Sequence, residues 1–319
     1  MSAVSTLQTI NHSVFSQHKL SVAVKRDDQI HRIISGNKWR KLKYNLQHAK
    51  AIKAKGIITF GGCFSNHIHA CAFACQQQGL PAIGIIRGEA QNQNNYTLAW
   101  AQHWGMQLHF VDRKTYRQRN DDGYLAQLQQ QYPEHVIIPE GGSNSLALTG
   151  MAEVIDELNQ QTTFDTLLTP VGSGGTLAGL ILGDKNQHQL IGIAVLKQQA
   201  YLAAQVDALL PAHAKPFDNW QLMAQYHRGG YAKFSQQDAQ RLHNFNVETG
   251  ITFEPIYSGK MVLALLDLIE QGYFSAHQRI VLLHTGGLQG LAGLYARGLL
   301  SSQQWPSLPI APINEKHQF

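Results

Sequence analysis

Cysteines are scarce in this sequence, and membrane-length apolar runs and internal repeats are missing. The lack of a repeat period excludes a solenoid protein. The three cysteines, Cys63, Cys71 and Cys75, form one local group, and an odd local set is not a disulfide framework. No apolar stretch approaches the ~18 residues of a membrane-spanning helix. The segment 1–15 lacks a basic region followed by an apolar run, so we expect no secretory signal and a cytoplasmic location. With 319 residues, the chain is long enough for two α/β domains or one large one.

The formal net charge of +5 comes largely from one basic segment. Its cations are Lys38, Arg40, Lys41, Lys43, Lys50, Lys53 and Lys55. A basic stripe can mark a nucleic-acid footprint, but the segment carries no recognised nucleic-acid motif. We therefore favour a solvated helix face together with a small anionic ligand, and expect no nucleic-acid partner.

The cysteines also raise the question of a metal site. His67, Cys71 and Cys75 share one helix face at spacings of four residues. The sequence has no CxxC pair, no second cluster and no HExxH motif, so a structural metal is not predicted. Cys71 and Cys75, among small apolar neighbours, are better interpreted as core residues.

Short β-branched runs alternate with amphipathic stretches along most of the chain. Strands are predicted over 20–24, 56–60, 82–86, 108–111, 135–139, 165–170, 190–195 and 279–283, the first as an edge strand. Helices are predicted over 37–53, 65–78, 95–104, 124–131, 145–160, 199–210, 236–248 and 259–270, and a further helix follows residue 176. The segment 221–226 is predicted to be extended. This alternation predicts an α/β fold with parallel-rich open sheets flanked by helices. Several strands end in glycines, which predicts ligand loops at their carboxyl ends.

A lysine at the start of a helix is the first candidate for chemistry. Lys38 follows a glycine and an asparagine, and Leu42, Leu46 and Ala49 recur at helical spacing behind it. Helix amides at such a junction can lower the pKa of an amine and hold an anionic ligand. Lys41 lies on the same side, so one lysine could form a Schiff base while the other contacts a phosphate. The alternative is a solvated basic helix start.

A glycine loop between a predicted strand and helix is the strongest signal for a ligand. It consists of Gly172, Ser173, Gly174, Gly175 and Thr176. Backbone amides in such a loop can cradle a phosphate. The loop matches neither a dinucleotide fingerprint nor a Walker motif, so it suits a single phosphate. A tight turn without a ligand is the alternative.

Two further positions have both a structural and a functional interpretation. Ser65, after Gly61-Gly62, can cap the following helix, and the neighbouring amides would suit a substrate carboxylate. Tyr257 has a hydroxyl that could be catalytic, or it could be a half-buried tyrosine with its hydroxyl satisfied.

Taken together, six segments resemble, in order, the landmarks of one enzyme family. Ser-Gly-Asn-Lys-Trp-Arg-Lys-Leu-Lys-Tyr at 35–44 resembles the cofactor-lysine motif of the pyridoxal-phosphate enzymes grouped as 1-aminocyclopropane-1-carboxylate (ACC) deaminase and D-cysteine desulfhydrase. The other matching segments are Gly61–His67, Gly172–Thr176, Gly230-Tyr231-Ala232, Pro255–Lys260 and His284–Gly287. The resemblance covers residues 35 to about 290.

The resemblance implies a tryptophan-synthase-β-like architecture, pyridoxal 5′-phosphate as cofactor, a small amino-acid substrate and a homodimer. It implies a large cofactor-binding domain from residues 1–45 and 146–319, with a smaller α/β domain, 46–145, inserted. The boundaries are expected in short loops.

The resemblance also assigns roles by position. Lys38 would bind the cofactor covalently, and Lys41 with the loop 172–176 would bind its phosphate. Asn66 would contact the ring hydroxyl. The substrate carboxylate would meet Ser65, Asn66 and His67, although the family commonly has Gln where this chain has His67. The catalytic residues are expected to be Lys38, Ser65, Tyr231 and Tyr257.

Two positions bear on the reaction. ACC deaminases carry Glu where this chain has Ser258 and tend to have Leu where it has Thr285. A hydroxyl beside the pyridine nitrogen makes the cofactor a weaker electron sink than a carboxylate would. We therefore expect β-elimination from D-cysteine or a related β-substituted D-amino acid. The alternatives are ACC deamination, β-replacement or dehydration on the same fold, and non-catalytic binding of a phosphorylated metabolite.

Overall fold

A computed structural model of the chain describes residues 4–197, 199–212 and 216–308. They group into two compact units. Unit 1 contains the chain up to Arg40 together with Ser145–Leu288. Unit 2 contains Lys41–Asn144 and the described residues from Gln289 on. In the described part of the chain, no helix combines the length and apolar character needed to cross a membrane.

Unit 1 is built on a six-stranded sheet. Its strands are β1 (Leu7–Ile10), β2 (Ser21–Lys25), β7 (Thr166–Val171), β8 (Gln189–Ala194), β9 (Trp220–Met223) and β10 (Arg279–Leu283). Their order across the sheet is β1-β2-β10-β7-β8-β9. All neighbours run parallel except β1, which pairs antiparallel with β2. The predicted edge position of β2 was wrong, because the short strand β1 covers that side.

The central strands of unit 1 are buried. All six residues of β7 are buried, which is typical of a parallel strand between helical layers. The helices wholly within unit 1 are α1 (Ser13–Gln17), α7 (Ser145–Gln161), α8 (Gly175–Asp184), α9 (Gln199–Leu209), α10 (Gln236–Thr249) and α11 (Ser258–Glu270). Helices α7 and α8 pack very closely, since a Cβ at Gly179 would lie only 2.4 Å from the Cβ of Met151.

Unit 2 contains a four-stranded parallel sheet. Its strands are β3 (Gly56–Gly62), β4 (Ala82–Arg87), β5 (Met106–Val111) and β6 (His135–Ile138), in the order β5-β4-β3-β6. The helices of unit 2 are α3 (Asn66–Gln78), α4 (Tyr96–His103), α5 (Arg113–Arg117), α6 (Asp122–Gln131) and α12 (Leu291–Tyr295). Helix α2 (Asn37–Ala51) begins in unit 1, and its residues from Lys41 on belong to unit 2.

The units differ from the expected domains at the C-terminal end. All of 146–319 is expected in the large domain, whereas the described residues from Gln289 on group with unit 2. The domain bounds themselves stay a prediction. Helix α12 contacts α4, and a Cβ at Gly293 would lie 2.9 Å from the Phe64 ring. This local packing explains the grouping.

Helix caps account for several element boundaries. Ser65 caps α3 by accepting a hydrogen bond from the Ile68 amide at 3.3 Å, and Gly79 ends the helix in the left-handed conformation.

The α/β class with parallel-rich sheets flanked by helices is confirmed.

Candidate active site

Lys38 is the second residue of α2 and follows a tightly packed glycine. Gly36 has a φ of +66°, and a Cβ there would lie 1.9 Å from the carbonyl oxygen of Thr285. The Gly36 amide donates to the Asp27 carbonyl at 3.0 Å. Only glycine fits this position, so the segment before Lys38 lies directly against the loop that follows β10.

A buried network of charges holds the start of α2. The Arg40 guanidinium donates to both oxygens of Asp27 at 2.7 and 2.8 Å, and to both oxygens of Glu157 at 2.8 and 2.9 Å. The Lys25 amine lies 2.6 Å from Glu157. Two buried cations therefore balance two carboxylates. Arg40, the centre of this network, is two residues after Lys38 on the same helix.

The Lys38 amine lies in a desolvated position. Burial lowers its pKa to about 8. Within the described residues, no side chain or carbonyl hydrogen-bonds to it. The cause of the shift is desolvation rather than the helix amides expected from the sequence. An amine with this pKa is partly neutral near pH 7 and can act as a nucleophile.

The glycine loop joins β7 to α8 and lies beside Lys38. Gly174, at a φ of +79°, precedes the helix and provides no side-chain cap to its first amides. The Asn37 amide group donates to the Thr176 hydroxyl at 2.7 Å. This bond ties the neighbour of Lys38 to the last loop residue. Uncapped amides at a helix start form a ready site for a phosphate.

Two tyrosines lie next to the glycine loop. A Cβ at Gly172 would be 3.1 Å from Cε1 of Tyr257, so the ring covers the start of the loop. The Tyr231 ring meets Tyr257 edge-on, with centroids 5.7 Å apart and planes at 71°. Tyr231 is 39% exposed, so its ring is accessible to a small ligand.

The Ser258 hydroxyl bonds to Glu254 in the structure, and its expected place among the cofactor-binding residues stays a prediction. It is fully buried, and its hydroxyl donates to Glu254 at 3.3 Å and accepts from the Glu254 amide at 3.2 Å. The Glu254 carboxylate also accepts from the amides of Ile256, Tyr257 and Ser258 at 2.6 to 3.2 Å. Burial raises the pKa of Glu254 to about 7. Both groups are thus engaged in capping α11.

Thr285, the second hydroxyl residue, lies in the loop after β10. It is nearly buried, and its hydroxyl has no hydrogen-bond partner within the described chain. The neighbouring His284 fixes the loop. Its Nδ1 accepts from the Gly286 amide at 3.1 Å, and its Nε2 donates to the Thr252 carbonyl at 2.8 Å. These two bonds assign the neutral tautomer with the proton on Nε2.

In unit 2, the segment Ser65–His67 leaves β3 and enters α3. Ser65 and Asn66 are partly exposed. His67 is 2% exposed, and its Nε2 lies 2.7 Å from the Thr59 hydroxyl on β3. The His67 side chain therefore points toward the sheet of its own unit. A contact between this imidazole and a substrate carboxylate stays a prediction, as do the contacts expected of Ser65 and Asn66.

Lys41 is also described within unit 2. It is 1% exposed, and its amine donates to the Ser143 hydroxyl at 3.1 Å and more weakly to the Gly141 carbonyl at 3.4 Å. Its expected contact with a phosphate stays a prediction.

Unit 1 thus brings together the candidates predicted within it. Asn37, the residue before Lys38, bonds to the loop 172–176, and Gly36 packs against Thr285. The Tyr257 ring covers the start of the loop and contacts Tyr231. The residues that hold these groups were not predicted from the sequence. They are Asn37, Arg40, Glu254, Lys260 and His284. A charged residue inside an apolar stretch, such as Lys260 in α11, was the available signal.

Known proteins match this chain over most of its length. Residues 8–286 match the family model described as pyridoxal-phosphate dependent enzyme. A Pyrococcus horikoshii protein provisionally named 1-aminocyclopropane-1-carboxylate deaminase is 31% identical over 280 residues, covering 84% of this chain and 85% of the relative. A D-cysteine desulfhydrase of Klebsiella pneumoniae is 28% identical over 287 residues, covering 85% and 88%. The solved structure of an ACC deaminase homologue aligns with a TM-score of 0.81 and 27% identity, over 94% of this chain and 96% of the other.

The chain therefore belongs to the pyridoxal-phosphate-dependent enzymes, in the group that includes ACC deaminase and D-cysteine desulfhydrase. It is an enzyme, and pyridoxal 5′-phosphate is its cofactor.

The residues of unit 1 fit this cofactor. Lys38 offers an amine without a hydrogen-bond partner among the described residues, as an aldehyde-binding lysine requires. The amides at the start of α8 suit the phosphate, and a Cβ at Gly174 would meet Val206 at 3.2 Å. The Thr285 hydroxyl suits the ring nitrogen.

Proposed function

We propose that this enzyme eliminates the β-substituent of D-cysteine or a related β-substituted D-amino acid. The products from D-cysteine are pyruvate, ammonia and sulfide. The observation that carries the proposal is the pair of hydroxyl residues, Ser258 and Thr285, where ACC deaminases have Glu and tend to have Leu.

The cofactor, when bound, supplies an electron sink for negative charge at the substrate Cα. Lys38 would bind the cofactor. Once the substrate amine has taken its place on the cofactor, the freed Lys38 amine would take the proton from Cα. The amides of the loop 172–176 and Lys41 would hold the phosphate. Asn66 would orient the ring. Tyr231 and Tyr257 would face the reacting atoms.

In unit 2, the Ser65–His67 segment would bind the substrate carboxylate. The amides at the start of α3 and the hydroxyl of Ser65 are the groups suited to an anion. Because the His67 ring faces β3, its amide rather than its imidazole is the group we assign to this role.

The absence of a carboxylate at position 258 favours β-elimination over opening of a cyclopropane ring. The buried Glu254 does not replace it, because both its oxygens are engaged by the amides at the start of α11. A hydroxyl at the ring nitrogen gives weaker electron withdrawal than an ion pair. Expelling a thiolate requires less electron withdrawal than opening a cyclopropane.

ACC deamination is the second candidate, favoured by the name of the Pyrococcus horikoshii relative. Product analysis separates the two, because ring opening of ACC keeps all four carbons and yields 2-oxobutyrate with ammonia. Elimination from D-cysteine yields pyruvate and sulfide in equal amounts.

The test incubates the cofactor-loaded enzyme separately with D-cysteine, L-cysteine and ACC. We expect sulfide and pyruvate from D-cysteine, much slower release from L-cysteine, and no turnover by Lys38→Ala. Formation of 2-oxobutyrate from ACC without sulfide from D-cysteine would instead establish the second candidate. No product from any substrate would contradict both.

A further inference from the structure

Helix α11 carries one lysine in an otherwise apolar stretch. Lys260 is fully buried, and none of the described carboxylates lies within ion-pair distance of its amine. Burial lowers its pKa to about 8. The protonated amine has three N–H donors and the neutral amine has two, so either form can donate to two carbonyls. A buried amine is costly unless its donors are satisfied, so its acceptors indicate its role.

The acceptors of Lys260 are three backbone carbonyls, two of which belong to one turn. Its Nζ donates to the carbonyls of His227, at 2.9 Å, and Gly230. The Val195 carbonyl, at the end of the β8 region, lies at 3.5 Å. Lys260 thus fastens the turn 227–230 to α11 from inside the unit.

This turn has an unfavourable backbone conformation. Arg228, Gly229, Gly230 and Ala232 all have positive φ angles, at 52°, 92°, 109° and 51°. Arg228 and Ala232 have side chains, for which the left-handed region is disfavoured. A segment of this kind keeps its conformation only where surrounding groups hold it.

Tyr231 follows directly on the Gly230 carbonyl that Lys260 binds. Tyr257, whose ring meets Tyr231 edge-on, is the N-cap residue of α11 and precedes Lys260 by three residues. The start of α11 therefore follows directly on Tyr257. Through Lys260, it also bonds to the turn that precedes Tyr231. Arg228 of the same turn also pairs with Asp267 of α11, so a second side chain joins this turn to the helix.

We propose that Lys260 is a positioning residue that holds Tyr231 against Tyr257. The inference rests on the proposed function, in which both tyrosines face the reacting centre. Lys260 touches neither substrate nor cofactor in this account and acts through the turn 227–230.

The first test needs no activity. Lys260→Met keeps the aliphatic stem and removes the N–H donors. Hydrogen exchange by mass spectrometry, on the cofactor-free and the loaded protein, compares peptides covering 227–233 with peptides covering β10. We expect exchange at 227–233 to quicken by at least about 10-fold while β10 stays protected.

The matched control is Arg279→Met. It removes another long cation of unit 1, paired with Asp165 at the surface and distant in sequence from the turn. Its exchange at 227–233 should equal that of the wild type. Unchanged exchange at 227–233 in Lys260→Met would overturn the proposal, and so would uniform acceleration over the whole unit.

The second test asks whether Lys260 acts through Tyr231. We expect Lys260→Met to lower kcat/KM by roughly 10- to 100-fold, mainly in kcat, with the bound-cofactor absorbance retained. In a Tyr231→Ala background, the same substitution should cost less than about 3-fold more. Fully multiplicative losses would overturn the proposal. If the wild type turns over neither D-cysteine nor ACC, the proposed function fails, whereas the exchange experiment still decides the role of Lys260.

Discussion

The Lys38 amine combines burial with freedom from hydrogen bonds to the described residues. Its neighbours are committed elsewhere: the Asn37 side chain bonds to Thr176, and Arg40 is held by Asp27 and Glu157. A desolvated amine has a lowered pKa because water no longer stabilises its charge. Lys38 is therefore poised to react with an aldehyde near neutral pH, unlike an ordinary surface lysine.

This pKa sets the pH dependence of cofactor capture. Only the neutral amine attacks an aldehyde, so the rate of capture by cofactor-free enzyme should rise about tenfold per pH unit below pH 8 and level off above it. The measurement follows the absorbance of the lysine-bound cofactor after mixing, from pH 6 to 10. A blocked lysine in solution serves as the control, with its midpoint near 10.4. A midpoint near 10 for the enzyme would contradict the burial argument.

At the scale of elements, the start of α2 is fixed by ionic contacts rather than by an apolar face. Arg40 is 2% exposed and makes bidentate contacts with two carboxylates. Asp27 and Glu157 therefore neutralise its charge inside the unit. Removal of one partner of such a network leaves the other charges uncompensated.

Arg40→Met should therefore destabilise the protein strongly, by about 3–5 kcal/mol in the free energy of unfolding. Because α2 carries Lys38, cofactor affinity should fall as well. Urea unfolding of the cofactor-free protein measures the first effect, and absorbance titration with pyridoxal phosphate the second. Arg279→Met, which breaks an exposed ion pair, provides the comparison and should have a much smaller effect. An equal loss in both variants would refute the role of the network.

Most elements could be predicted because their signals are local. Ser65 and Gly79 mark the two ends of α3, and apolar runs closed by glycines mark β3 and β7. The elements without a prediction are short, namely β1, α1, α5 and α12. In four- or five-residue elements, periodicity has too few residues to repeat, and tertiary contacts decide. The edge position of β2 was wrong for this reason, since its pairing with β1 leaves no local signal.

The site was predictable where a motif lies in one segment. The residue types of Lys38 and of the loop 172–176, and their position before a helix, indicate a ligand site. The supporting contacts could not be predicted, because they join distant segments: Asn37 to Thr176, and Lys260 to the turn 227–230. No spacing in the sequence encodes such pairs.

At the scale of the whole molecule, the basic segment is not a uniform surface stripe. Arg40 and Lys41 are buried, whereas Lys50, Lys53 and Lys55 are exposed. The positive charge near the start of α2 is thus used within the fold. Arg40 and Lys41 therefore do not form one exposed stripe with the three lysines that follow.

The unit 1 sheet organises the cofactor residues. The loops after β7 and β10 both leave the carboxyl ends of neighbouring parallel strands, and they carry Thr176 and Thr285. Lys38 is tied to both, through Asn37 and Gly36. Open α/β sheets bind ligands at this edge because the strand ends place several loops side by side.

The central claim is that one lysine of the chain, Lys38, binds the cofactor covalently. The most direct measurement is borohydride reduction of the enzyme loaded with pyridoxal phosphate, followed by peptide mapping of the modified residue. We predict one stoichiometric modification at Lys38, absent from Lys38→Ala and retained in Lys43→Ala on the same helix. Modification at another lysine of the wild type, or full labelling of Lys38→Ala at a different site, would contradict the account.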